Sequence, residues 1–196
     1  MKILLTGFKP FNKDKINPTE QILEKYENNE EENTIFKLLL NVEYKNDSSK
    51  IREKIEQVKP DLVIMMGLAG GRNNINLEKV ALNFRHATIP DNAGILIENE
   101  KIFQDAPTAY ETKLDLKCII KNVNSKRLSI SYSAGTFICN DVYFSTLDYI
   151  NRNNLNINAL FIHFPFLPEQ SKNKPTMELD EMLETLDKII SYISKK

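Results

Sequence analysis

Short apolar runs alternate with amphipathic stretches along the chain, and that alternation predicts βα units around a mainly parallel sheet. Residues 2–6 (KILLT), 35–42 (IFKLLLNV), 61–66 (DLVIMM), 128–133 and 159–164 (ALFIHF) have the length and apolar character of strands covered on both faces. Between them, amphipathic spacing predicts helices from Thr19 to about Tyr26, over 48–58 with Ile51, Ile55 and Val58 on one side, near 112–124, and from about Phe137. The last element has the clearest pattern. Leu179, Met182, Leu183, Leu186, Ile189, Ile190 and Ile193 form one helical stripe, with Thr176 as the expected cap, and this packing helix is assigned no chemistry. The polar run 27–33 reads as a solvated connection, and 90–110 as a long irregular segment of the kind that usually carries function. The expected fold is a single-domain three-layer α/β/α sandwich over residues 1–196, with a twisted, mainly parallel central sheet.

Composition narrows the function classes. With 41% hydrophobic and 27% charged residues, the chain lies well away from the disordered corner of sequence space. Lys+Arg 26 against Asp+Glu 27 leaves a net charge of -1, so there is no cationic surplus to release counterions from a nucleic acid. No run approaches the roughly 20 apolar residues of a membrane helix, and the opening MKILLTGFKPF holds only a short one. A cytoplasmic protein without nucleic-acid or membrane partners is expected. The two cysteines, Cys118 and Cys139, cannot build a disulfide scaffold or a four-cysteine zinc site. No metal or other cofactor is expected.

Three residues stand where chemistry is plausible. Cys139 follows the small-residue turn SAGTFI and falls in the first turn of a helix, where the helix end favours thiolate. Cys118, among Leu114, Leu116, Ile119 and Ile120, reads as a buried structural cysteine. His163 interrupts ALFIHF just before Pro165, at the carboxyl edge of a strand where open α/β sheets bind ligands; a hydrogen-bonded core histidine is an equal alternative. Glu78 shares strand parity with Val80, Leu82 and Phe84, which would bury it and demand a partner. Ile75 and Leu77 have the opposite parity, so a register change near Lys79 would instead turn Glu78 to water, and pattern alone slightly favours that outcome. Cysteine, histidine and an acid are the parts of a cysteine-nucleophile hydrolase, but spacing does not show that they meet.

The motifs themselves go further. LLTGFKPF (4–11), INPTE (16–20), MGLAGGR (66–72), LEKVALN (77–83), IPDNAG (89–94), APTAY (106–110), SYSAGTFICN (131–140) and FIHFPFLPEQ (161–170) resemble, nearly end to end, the ordered motifs of the pyroglutamyl peptidase I family, also called pyrrolidone carboxyl peptidases. The resemblance implies a cysteine peptidase that hydrolyses N-terminal pyroglutamate from peptides, with the family's triad on Glu78, Cys139 and His163. It further implies that Phe8 and Phe11 flank the pyrrolidone ring, that Asn17 shapes the same loop, and that the chain assembles as a homotetramer. Core packing is the alternative reading of the two phenylalanines. Where the family usually writes DAR before IPDN, this chain has His86-Ala87-Thr88, with Arg85 three positions before the missing arginine. That departure is expected to lower turnover. The rival readings are a catalytically weakened ligand-binding homologue and a cysteine amidase for another small lactam or amide.

Overall fold

The computed structural model describes every residue except 29 and 31. In chain order the elements are β1 (Lys2–Phe8), α1 (Pro18–Lys25), β2 (Thr34–Leu40), α2 (Asn46–Val58), β3 (Leu62–Leu68), β4 (Ile75–Glu78), β5 (Val80–Leu82), β6 (Ala109–Glu111), α3 (Leu116–Val123), β7 (Leu128–Ser131), α4 (Ile138–Arg152), β8 (Asn158–Phe164) and α5 (Leu179–Ser194). Six strands form one sheet in the order β2-β1-β3-β8-β4-β7, and β5 pairs with β6 in a separate two-stranded ribbon. Four of the five pairings in the large sheet are parallel; only β4 against β8 is antiparallel. The exception follows from chain length. No helix separates β3 from β4, and a parallel crossover needs a dozen or more residues, so the chain turns back instead.

The two faces of the sheet carry two apolar cores. Leu160, Ile162 and Phe164 of β8 meet α1, α3 and α5 through Ile22, Ile119, Met182 and Leu186. Ala159 and Phe161, of the other parity, meet α2 and α4 through Ile51, Ile55, Val142 and Phe144. Ile3, Leu4 and Leu5 are wholly buried, because both faces of β1 are covered, and this is why the strand reads as an unbroken apolar run. Full burial of each large apolar side chain contributes about 1.5–3 kcal/mol, so the layers hold one another in place.

Three expectations need correction. Thr176 does not cap the last helix: it pairs with Phe166 in an isolated bridge, and the Met177 amide donates to Phe166 O at 2.8 Å. That pairing keeps the chain extended, and α5 begins only at Leu179 after Glu178, with no side-chain cap. The 27–33 connection is not simply solvated. Asn33 is buried and donates to Ser194 Oγ at 3.0 Å, while 29 and 31 lie outside the described residues. Cys118 lies in the first turn of α3 rather than inside its apolar face. It is half-buried, and the Asp115 carboxylate beside it raises its thiol pKa.

Candidate active site

His163 is the penultimate residue of β8, and strand alternation puts its imidazole on the α4 face beyond Phe161, the two ring centroids 4.8 Å apart. In the neighbouring strand its register partner is Gly67. A Cβ at Gly67 would lie 2.9 Å from Sγ of Cys139 and 2.8 Å from the Phe161 ring, so the thiol sits directly over a bare Cα. Cys139 is the second residue of α4, entered through a turn in which Gly135 adopts φ +81, a conformation that costs glycine little. Sheet and helix thereby bring Cys139 next to the end of β8.

The antiparallel register of β4 on β8 sets Asn76 opposite His163 and Glu78 one step diagonally away. Diagonal neighbours on one face are within reach of long side chains, and Glu78 Oε1 lies 2.7 Å from His163 Nδ1. Glu78 is fully buried. The register does change at Lys79, where β4 gives way to β5, but Glu78 meets His163 and Arg72 instead of water, with Tyr143 of α4 bonded to its backbone carbonyl. The slight preference for a solvated Glu78 is therefore wrong, because parity tells which residues share a face and not what lies over it. Arg72 completes the cluster: Nη1 donates to Glu78 Oε1 at 2.7 Å and to Asn76 Oδ1 at 3.1 Å, and Nη2 donates to Ser133 O at 3.1 Å. Nothing in its spacing singled out Arg72.

The charges follow from these contacts. Burial opposes ionisation of Glu78, but the hydrogen bond and charge of His163, with help from Ser131 and then Arg72, outweigh it and hold the carboxyl below its ordinary value. Burial pushes His163 below its ordinary value against the pull of Glu78, and the Arg72 cation adds to that lowering. The pair is best described as a carboxylate and a neutral imidazole, with Nδ1–H assigned toward Glu78 and the Nε2 lone pair free. Cys139 differs from expectation. Burial, followed by the Glu78 charge, pushes its thiol up to about 12, over the opposing effects of its own backbone N–H and Arg72. Half a unit charge at a helix end does not overcome desolvation beside a buried carboxylate. The resting group is a thiol, which needs a base.

A cavity of about 100 Å³ opens beside Sγ. Phe8, Phe11 and Phe137 provide its aromatic wall, Val42, Leu68 and Ile138 its aliphatic wall, and Asn17 lies at its edge. Phe11 and Phe137 stack at 5.1 Å between centroids. Asn17 is fully engaged in the loop: Oδ1 accepts from Thr19 N at 3.0 Å and Oγ1 at 2.9 Å, and Nδ2 donates to Lys9 O at 3.1 Å. A larger cavity, about 430 Å³ between α2 and α4, is lined by none of Glu78, Cys139 and His163.

A family model for pyroglutamyl peptidase matches residues 1–196. The pyrrolidone-carboxylate peptidase of Brachyspira hyodysenteriae is 42% identical over 195 residues, which is 97% of each chain. Two solved structures agree with the fold. A variant pyrrolidone carboxyl peptidase from Pyrococcus furiosus aligns with TM-score 0.93 and 34% identity, covering 100% of this chain and 99% of that one. Pyroglutamyl peptidase I from Bacillus amyloliquefaciens aligns with TM-score 0.91 and 35% identity, covering 96% and 92%. The chain belongs to the pyroglutamyl peptidase family.

Within that family frame, the start of α4 is fixed by residues whose structural roles the sequence did not show. Asn140 Nδ2 donates to Leu82 O at 2.8 Å and Phe84 O at 3.0 Å, and its Oδ1 accepts from Leu82 N at 2.8 Å. Tyr143 Oη donates to Glu78 O at 2.9 Å, linking the helix to the strand that carries the acid. Arg85 is buried and ion-paired through Nε with Asp141 Oδ1, so it is committed to the helix and is not a free substitute for the family's arginine. Thr88 is exposed. His86 N donates to Thr136 O at 3.0 Å, and Thr136 Oγ1 donates to His86 O at 2.8 Å, tying that segment to the turn before Cys139.

Proposed function

We propose that this chain removes N-terminal pyroglutamate from peptides by acyl transfer through Cys139. The observation that carries the reading is a small aromatic-walled cavity with the Cys139 thiol in its lining, that thiol resting over Gly67, the register partner of the His163 that pairs with Glu78. A cavity of about 100 Å³ suits a flat five-membered lactam, and Phe8 and Phe11 are assigned to its faces, with Asn17 holding their loop. His163 Nε2 takes the thiol proton as Sγ attacks the pyroglutamyl carbonyl carbon. The tetrahedral oxyanion is met by free backbone N–H groups of the first turn of α4. Collapse breaks the C–N bond, and His163 returns its proton to the leaving amine, which gives a thioester. Water then attacks the thioester carbonyl with His163 again as base, and collapse breaks the C–S bond, releasing pyroglutamate while His163 returns the proton to Sγ. Glu78 holds the imidazole in the tautomer this cycle needs.

Nothing favours the ligand-binding or amidase alternatives. The family resemblance also implies a homotetramer, and Ile89, Ile95 and Leu96, all exposed, offer apolar surface for it; light scattering on the purified protein measures the assembly. The deciding assay is release of a chromophore from pyroglutamyl, prolyl and glutaminyl amides. Only the pyroglutamyl amide should be cleaved, since an N-terminal ammonium would be desolvated against Phe8 and Phe11, a cost that cation–π attraction and the exposed Asp14 carboxylate in the cavity lining only partly offset. Comparable cleavage of all three would refute the pocket, and cleavage of none would leave a binding homologue.

A further inference from the structure

We infer that Arg72 is a positioning residue, a fork that holds the Glu78 carboxylate and the Ser133 carbonyl in fixed relation and so sets both the orienting acid and the turn that delivers Cys139. The inference rests on the acyl-transfer reading above and goes beyond it. Arg72 lies in the short turn between β3 and β4, before the acid-bearing strand and far in sequence from Ser133. One guanidinium nitrogen donates to Glu78 Oε1 at 2.7 Å, and also reaches Asn76 Oδ1 at 3.1 Å and Ser131 Oγ at 3.4 Å. The other donates to Ser133 O at 3.1 Å. Ser133 precedes Gly135, the left-handed residue through which the chain turns into α4.

A planar fork does this where an ammonium cannot. Lysine carries the same charge, but it concentrates its donors on one nitrogen and cannot reach a carboxylate and a carbonyl with two fixed, divergent N–H vectors. Charge is the second contribution. The titratable groups facing His163 are Glu78 on β4, Arg72 on the preceding turn and Cys139 on α4. The Arg72 cation lowers the pKa of both His163 and Cys139, which favours the neutral base and an easier thiol to deprotonate. Arg72 is about one-third exposed, so bulk water screens part of this effect.

Geometry and charge separate by substitution. In Arg72→Gln the kcat should fall by about 10-fold or more, with KM little changed, because the lost contacts hold reacting groups rather than the substrate. The acid limb of kcat/KM should move to higher pH, since removing a nearby cation raises the pKa of His163. Arg72→Lys should keep the limb near its wild-type position yet recover only part of kcat. A merely structural arginine would lower stability without moving the limb, so thermal melting of both variants is measured alongside. Cys139→Ala is the control for the underlying reading. If Cys139→Ala retains turnover, the acyl-transfer reading fails and the inference with it. If Cys139→Ala is inert while Arg72→Gln keeps the wild-type kcat and acid limb, the role given to Arg72 alone is overturned. Equal kcat in Arg72→Lys and wild type would overturn the fork and leave only the charge.

Discussion

Cys139 Sγ rests over the Cα of Gly67, so closely that a Cβ at position 67 would stand 2.9 Å from the sulfur. Gly67 is also the register partner of His163, which makes one bare backbone position the seat of the nucleophile and the neighbour of its base. Gly67→Ala should therefore lower stability by about 1–3 kcal/mol through overpacking and should displace the thiol or the Phe161 ring. Thermal melting and turnover on a pyroglutamyl amide measure the two effects. Wild-type values in both would show that the sulfur is not confined there.

The two cysteines should behave oppositely under alkylation. Cys139 lines the cavity, whereas Cys118 is half-buried beside Asp115 on α3, a helix packed on the opposite face of the sheet from α4. Iodoacetamide should abolish activity in step with modification of Cys139, read by mass spectrometry of peptides. Cys139→Ser should be nearly inert and Cys118→Ser close to wild type. Loss of activity that tracks Cys118 would reassign the nucleophile.

Acidification should weaken both catalysis and the fold, in two windows. His163 is held below its ordinary value of 6.5, so below that pH the unfolded chain takes up a proton that the folded chain resists, and stability falls as pH drops toward the folded pKa. Glu78 is held below 4.5, so its contribution is present above that value and is lost as pH falls through its lower folded pKa. Melting temperatures across pH 7 to 4, with a His163→Gln comparison, test the first window, which the variant should flatten. Unchanged pH dependence in the variant would mean that another group titrates there.

Arg85 and Thr88 should separate stability from rate. Arg85→Met leaves Asp141 as an uncompensated buried charge at the start of α4, and the cost should be about 3–5 kcal/mol in urea unfolding. Thr88 is exposed, so Thr88→Arg should change stability by less than about 0.5 kcal/mol. Since Arg85 is engaged with Asp141, restoring an arginine at 88 is expected to raise kcat with KM little altered. A Thr88→Arg variant with unchanged kcat would remove that side chain from any account of turnover.

The sequence by itself determined the layers. Apolar runs such as 61–66 and the stripe from Leu179 to Ile193 are local patterns, and burial on two faces or on one leaves its mark directly in residue order. Motif wording likewise placed Cys139 after a small-residue turn and His163 at a strand end, where the structure has them. What only the tertiary structure decided was which face Glu78 would occupy and what would cover it. The antiparallel register of β4 on β8, forced by a short turn, swings Glu78 onto His163 beneath α4, and no local parity contains that information. Nor does any local pattern give the contacts of Arg72, Phe137 and Asn140 or the approach of Cys139 to Gly67, since each acts across strands or between sheet and helix. The same distinction explains the thiol. A helix start is visible in sequence, but desolvation and a carboxylate brought from another strand set the Cys139 pKa, because electrostatic energy depends on separation in space and on what excludes water, not on separation along the chain.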